Sequence, residues 1–321
     1  MPLLLMMFLA ASPLATVLGT SGGNGLLNIP SEDYLAAAHC PSICGDVSEI
    51  TYPFGIGPGC FRQGFELVCD NTTQPPTLLF LGNTSTQISS TSSGWYEVAI
   101  PAVGFNISIV PGIGDHNITS WQAPAKGFAA QNDSALLVVG CALKADLFDL
   151  GTDNAVGSCR TLCFNDTVIM QAQANGGSCA DGMGCCTINT ASELRGFRLE
   201  LVRLYDKAAA QLSDWRLHTR AQVLFLQDNF YQFNSTDLSS TWINGSTVGD
   251  TVLVGAIMDQ PNCPSALMNK STYACSTNAN CKDAPNGGYY CVCPNGNYGS
   301  NPYTLPGCKD YSGTNCTLFR T

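Results

Sequence analysis

The sequence predicts a mainly β fold: a disulfide-rich β domain, in one or two lobes, followed by a small six-cysteine module. Three observations predict it. Seventeen cysteines occur in 321 residues, far more than a chain in a reducing compartment carries. Short segments alternate apolar and polar residues with the period of a strand. Clusters of Gly, Pro, Asn and Ser separate those segments.

The first element is not part of the fold. Leu3 to Leu18 is an apolar run broken by Pro13 and followed by small residues, too short to span a bilayer and placed where a secretion signal sits. Residues 1–22 are expected to be cleaved, and residues 23–39, rich in Gly and Asn, to form a linker. The strands follow over residues 40–258. Phe105 to Ile109 and Phe197 to Leu201 alternate clearly, and the sequon residue Asn106 then faces solvent. Leu78–Leu81, Trp95–Ile100, Ala135–Val139, Val223–Leu226 and Thr251–Ile257 are further expected strands. Tyr205 to Trp215, with three consecutive alanines, is expected to hold one short helix, and a joint between lobes is placed near 120–140.

The cysteines fall into even groups. Cys40, Cys44, Cys60 and Cys69 are followed by Cys141, Cys159, Cys163, Cys179, Cys185 and Cys186. Spacing does not reveal the pairing of these ten. Cys263, Cys275, Cys281, Cys291, Cys293 and Cys308 form the third group, within residues 259–310, and Cys316 in the tail 311–321 is left over. With only three histidines and no paired Cys-x-x-Cys knuckles, structural zinc is the weaker reading of so many cysteines. Asn-x-Ser/Thr sequons begin at Asn71, Asn83, Asn106, Asn117, Asn132, Asn165, Asn234, Asn244, Asn269 and Asn315. Glycans there would supply the solubility that a charged fraction of only 12% does not. Oxidised cysteines, signal and sequons all point outside the cell.

Charge excludes several classes. The net charge of −10 argues against nucleic acid and against simple attraction to anionic lipid. No second apolar run reaches the roughly twenty residues of a membrane span. The C-terminal Thr317-Leu318-Phe319-Arg320-Thr321 matches neither a span nor a lipid-anchor signal, so the chain is expected to be secreted and unanchored. Scattered histidines and no nucleophile–base constellation leave nothing for catalysis.

The spacing Cys275-x5-Cys281, then Cys291-x-Cys293, then a glycine-rich stretch to Cys308, resembles an EGF-like domain. The resemblance implies bridges Cys263–Cys281, Cys275–Cys291 and Cys293–Cys308. A module this small lacks core enough to fold without such staples. Some EGF-like domains bind calcium through residues before the first cysteine. Met258-Asp259-Gln260-Pro261-Asn262 does not match that arrangement, so no cofactor is expected.

Upstream, Cys40-Pro-Ser-Ile-Cys44-Gly45, Tyr52-Pro53-Phe54-Gly55, Gly59-Cys60 and Gly64-Phe65-Glu66-Leu67-Val68-Cys69, with Cys179-Ala-Asp-Gly-Met-Gly-Cys185-Cys186, resemble the galacturonan-binding domain of the plant wall-associated receptor kinases. Pro53 and the glycines suit a rigid loop, with Tyr52 and Phe54 packed inside it. The resemblance implies a non-catalytic module whose ligand is cell-wall pectin or an oligogalacturonide. The alternative is a protein-interaction or decoy module acting with a receptor or secreted peptide. The family's membrane span and kinase are missing from these residues, and nothing resembles an ATP-binding Gly-rich loop.

Anionic sugar and anionic protein do not attract at long range, so binding needs a local cationic patch or bridging calcium. Arg195, Arg198, Arg203, Lys207, Arg216 and Arg220 form the candidate patch, because guanidinium forks suit carboxylates. Against this, Glu200, Asp206 and Asp214 could neutralise them. Asp146, Asp149 and Asp153 are weak calcium candidates. Trp95 and Tyr96, with Trp121 and Trp242, are the aromatic candidates for stacking on sugar, although each such ring is more often core than platform.

Overall fold

The computed structural model describes residues 25–81, 83–91, 96–109, 116–164, 166–174, 179–204, 220–227, 231–240, 242–243, 248–294 and 300–308. The expected helix in Tyr205–Trp215 and the leftover Cys316 lie outside the described residues.

The centre is a four-stranded antiparallel sheet in the order β12 (Cys185–Asn189), β9 (Ser134–Val139), β14 (Arg220–Gln227), β6 (Val103–Ser108). Its two middle strands are buried almost throughout, which is why they read as unbroken apolar runs and not as alternating ones. One face, with Leu136, Val138, Val223 and Phe225, meets a second sheet in the order β11 (Ala155–Thr161), β10 (Leu143–Asp149), β13 (Gly196–Arg203), β7 (His116–Gln122). That sheet contributes Leu143, Ala145, Leu147, Phe197, Leu199 and Leu201, all fully buried. Phe197 and Phe225 meet edge to face at 5.0 Å between the layers. The other face of the central sheet, with Leu137, Val139, Leu224 and Leu226, is covered by Phe233, Ile243 and Met170, the last from α2 (Thr167–Ala174). Each fully buried side chain of this size contributes about 1.5–3 kcal/mol. Three bridges brace these layers: Cys141–Cys163, Cys159–Cys186 and Cys179–Cys185.

The N-terminal part carries a sheet of β1 (Gly55–Ile56), β2 (Glu66–Asp70), β3 (Thr77–Phe80) and β4 (Asn83–Gln87), in which β1 and β2 run parallel. Cys40–Cys60 and Cys44–Cys69 pin it. The Tyr52-Pro53-Phe54-Gly55 block is buried, with a cis Tyr52–Pro53 bond. Phe54 joins Phe65, Phe80 and Phe128 in one aromatic cluster, at ring separations of 5.1–6.1 Å. Gly55 has no room for a side chain: a Cβ there would lie 2.0 Å from the Cys60 carbonyl oxygen. β15 (Asp250–Gly255) returns from far along the chain to pair with β5 (Glu97–Pro101) and β8 (Phe128–Ala130), stitching early and late segments together.

The last module consists of α3 (Cys263–Met268) and a hairpin of β16 (Asn280–Asp283) and β17 (Tyr289–Val292). Its bridges run Cys263–Cys281, Cys275–Cys291 and Cys293–Cys308. It does not hang free. Ile257 pairs with Tyr289, Asn301 Nδ2 donates to the Tyr52 carbonyl, and Tyr289 and Tyr303 are fully buried in a core cluster that extends from Cys44 to Tyr303. Of the expected linker, residues 25–39 are described. This segment forms α1 (Glu32–Ala37) and pairs through Leu26 with Arg62 and through Ser31 with Leu305. Backbone hydrogen bonds to both neighbours make it a brace.

Candidate functional site

Strand alternation and register assemble one surface that no single segment contains. Inward positions of β7, β10, β11 and β13 face the sandwich core, so the intervening side chains face out. Register puts Lys144 opposite Arg160 on one side and Val202 on the other, and Val202 opposite His116. The next row runs Ser158, Asp146, Glu200, Ile118, and the row beyond holds Phe148, Arg198 and Ser120. The result is a sheet face bearing cations, carboxylates, hydroxyls and one aromatic ring. No sequon asparagine occupies an outward position of these strands; Asn117 of β7 pairs with the inward Leu201.

The charges on this face are organised. Lys144 Nζ lies 2.7 Å from Asp146 Oδ2. Arg198 donates to Glu200 and, at 2.6 Å, to Asp153 Oδ1, while its guanidinium carbon sits 4.3 Å from the Phe148 ring centroid. His116 Nε2 is 3.7 Å from Glu200 Oε2. Arg160 is exposed at the end of its row and makes no ion pair among the described residues.

The structure does not gather the expected six-residue basic patch on one face. Arg198 and Arg203 both belong to β13, but their positions have opposite parity and point to opposite sides of the sheet. Arg220 opens β14 in the other sheet, opposite Ser108. Arg195 precedes β13, where its carbonyl accepts from the Ala123 amide at 2.9 Å. Lys207 and Arg216 lie outside the described residues, as does Trp95. Among its described members, Arg198 stands on the charged face, beside Lys144, Arg160 and His116, which the sequence reading missed. The signal was present in the alternation of Leu143-Lys-Ala-Asp-Leu-Phe-Asp149.

The aromatic candidates are engaged elsewhere. Tyr96 stacks on Tyr290 at 4.9 Å, and the Tyr290 hydroxyl donates to Glu193 Oε2 at 2.7 Å. Burial pushes the Tyr96 hydroxyl pKa up, and pushes that of Glu193 up as well, the latter offset in part by the Tyr290 hydrogen bond and Lys282. Trp121 packs inside the sandwich against Phe197 and Phe225, at 5.6 Å from each. Trp242 lies against Gly104, whose missing Cβ leaves room for the indole.

The acidic candidates have separate partners. Asp146 holds Lys144, Asp153 holds Arg198, and Asp149 Oδ1 accepts from the Thr152 amide and hydroxyl. Ahead of Cys263, Asp259 pairs with Arg62, and Asn262 Oδ1 caps α3 by accepting from the Ser265 amide at 3.0 Å. Among the sequons, Asn71, Asn106, Asn132 and Asn234 are exposed, and Asn117 and Asn269 are half-buried. Asn83 starts β4, whereas Asn165, Asn244 and Asn315 lie outside the described residues.

Residues 40–100 match the family model for the galacturonan-binding segment of wall-associated receptor kinases. They cover the first sheet, the bridges Cys40–Cys60 and Cys44–Cys69, and most of β5. The chain is similar to Wall-associated receptor kinase 3 of Arabidopsis thaliana, 28% identical over 284 residues, which are 84% of this chain and 36% of the relative. It is similar to Wall-associated receptor kinase 1 of the same plant, 25% identical over 288 residues, 88% of this chain and 36% of the relative. Wall-associated receptor kinase-like 10 is 43% identical over a shorter stretch of 44 residues, 13% of this chain and 6% of the relative. The chain thus spans about a third of the length of the long-range relatives it matches, and resembles their extracellular region. No solved structure gives a significant match. Among the described residues no helix is long and apolar enough to cross a membrane.

Proposed function

We propose that this chain is a secreted, non-catalytic recognition module that binds galacturonan of the plant cell wall, and that the polymer lies across the outer face of β11, β10, β13 and β7. The family match supports the ligand class, and eight disulfides support an oxidising, extracellular setting.

The observation that carries the choice of surface is the register that gathers Arg160, Lys144, Arg198 and His116 on one face clear of outward sequons. The family-matched segment supplies no such surface. Within residues 40–100 the carboxylates Asp46, Glu49, Glu66, Asp70 and Glu97 oppose a single cation, Arg62, giving one minus five, or −4. Arg62 is 1% exposed and its guanidinium is engaged. A uronate chain needs cations it can reach, and the sheet face offers them, beside hydroxyls that suit sugar.

The test is calorimetric titration of the full chain with oligogalacturonides of graded length, with and without calcium. Affinity is expected to fall as salt rises. The double variant Lys144→Glu, Arg160→Glu should weaken binding at least tenfold. A flat isotherm in both conditions would reject the ligand; full affinity in the double variant would reject the face.

A further inference from the structure

A second site lies away from that face. A cavity of about 340 Å³ opens where three chain segments meet. α1 forms one side, the loop from Ile50 to Gly55 with the Cys40–Cys60 bridge forms the floor, and Asn301 and Thr304 of the last module close the third side. The volume falls in the lower part of the range for small-ligand sites, roughly 300–1,000 Å³.

The cavity exists because α1 spans this space without filling it. None of its six residues is buried. The segment is tied at its start: Ser31 Oγ accepts from the Tyr34 amide at 3.1 Å, the Glu32 amide donates to the Leu305 carbonyl at 3.2 Å, and the Leu305 amide donates to the Pro30 carbonyl at 2.9 Å. The site is therefore composite, and is incomplete without the last module.

Its lining has a distinct chemistry. Leu35, Ile50 and Phe54 give apolar walls, and Glu32 is the one charged residue among the described lining residues. Asn301 is already committed, its Nδ2 to the Tyr52 carbonyl and its Oδ1 to the Tyr303 amide. A sugar acid entering here would meet a carboxylate with no cation among the described lining residues to offset it. A largely apolar cavity with an exposed glutamate in its lining instead complements a long side chain with an aliphatic stem and a cationic head. The net charge of −10 favours approach of a basic partner.

We propose that this cavity takes the side chain of an arginine or lysine presented by a peptide or protein partner. The proposal shares no residue with the galacturonan face and stands independently of it.

The test uses the full chain and the blocked tripeptides acetyl-Gly-Arg-Gly-amide and acetyl-Gly-Lys-Gly-amide. The citrulline peptide, which keeps the shape of arginine without its charge, is the control. Binding is read by calorimetry or ligand-detected NMR. The arginine and lysine peptides should bind about threefold to fivefold more tightly than the citrulline peptide, the range an exposed ion pair gives. Glu32→Gln should erase that preference while leaving citrulline and oligogalacturonide binding unchanged. Ala36→Phe, which fills the cavity from α1, should abolish binding of all three peptides. Equal binding of arginine and citrulline, no binding of either, or an unchanged preference in Glu32→Gln would overturn the proposal.

Discussion

Arg62 and Asp259 stand 197 positions apart in the chain, yet Arg62 Nη2 lies 3.1 Å from Asp259 Oδ2. The same guanidinium donates to the carbonyls of Leu27 and Thr272. One side chain, 1% exposed, thus ties the segment before Cys40, the first sheet and the last module together. Removing it leaves a partly exposed carboxylate and two part-buried carbonyls without their donor. Arg62→Ala is expected to cost about 1.5–3 kcal/mol, the scale of hydrogen bonds to a charged group. Guanidinium denaturation with the bridges intact measures this. Limited proteolysis should show residues 25–39 and the last module losing protection together; loss confined to one of them would contradict the three-way tie.

Gly55 and Gly57 are two residues apart but constrained differently. At Gly55 the obstacle is the Cys60 carbonyl, 2.0 Å from where a Cβ would stand. At Gly57 there is open space, and the only constraint is a φ of +86°. Gly57→Ala should cost about 1–2 kcal/mol, as a left-handed backbone does. Gly55→Ala should cost more, because backbone must move in a loop pinned by Cys40–Cys60. Chemical denaturation of the two variants side by side checks the order, and the reverse order would contradict this account of the Tyr-Pro-Phe-Gly block.

Glu193 gives the module joint a pH dependence. Burial raises its folded pKa, against the opposing pull of the Tyr290 hydroxyl and Lys282. Below the unfolded carboxylate value, about 4.3, both states are protonated and the group has no effect. As pH rises past that value the unfolded state ionises first, so stability present at low pH is lost until pH passes the folded pKa. Glu193→Gln cannot ionise. Its stability relative to the native protein should therefore climb as pH rises above the unfolded carboxylate value, and level off once pH passes the raised folded one. Equal pH slopes for the two proteins would show that the Glu193–Tyr290 contact is not coupled to folding.

What could be read in the sequence was whatever depends on near neighbours. β9 and β14 announced themselves as apolar runs because both their faces are buried. β6 and β13 did so by alternation, and Asn106 is exposed as that alternation requires. β7, reading His-Asn-Ile-Thr-Ser-Trp-Gln, hides its pattern because, as an edge strand, it exposes the apolar Ile118 on its outer face and turns the polar Asn117 and Thr119 to its half-buried inner one. The basic patch was sought in sequence proximity, but a sheet face is assembled by register. Lys144, Arg160 and His116 come from three separate strands, and the intervening β13 supplies Arg198. That Tyr96 stacks on Tyr290 had no sign in the sequence, because the two rings belong to different modules. Long-range contacts of that kind leave no local trace.

The charged face holds its own brake. Among the described residues Arg198 is the one member of the expected patch positioned there, but Asp153 and Glu200 occupy its guanidinium. Lys144 is likewise held by Asp146. A uronate chain must displace or share these carboxylates, and Asp153 is the easiest to lose, since its side chain is 76% exposed and reaches Arg198 from a turn. Asp153→Asn removes a repelling charge and frees one edge of the fork without disturbing the core. It should raise affinity for oligogalacturonides about twofold to fivefold, in keeping with an exposed pair worth up to about 1 kcal/mol. The gain should shrink as salt is added, because the restored attraction is screened over about 10 Å at 0.1 M. Asp33→Asn, at an exposed position of α1, changes net charge equally and serves as the control. Equal gains from both variants would mean that overall charge and not this face governs binding, whereas a gain specific to Asp153 ties recognition to Arg198.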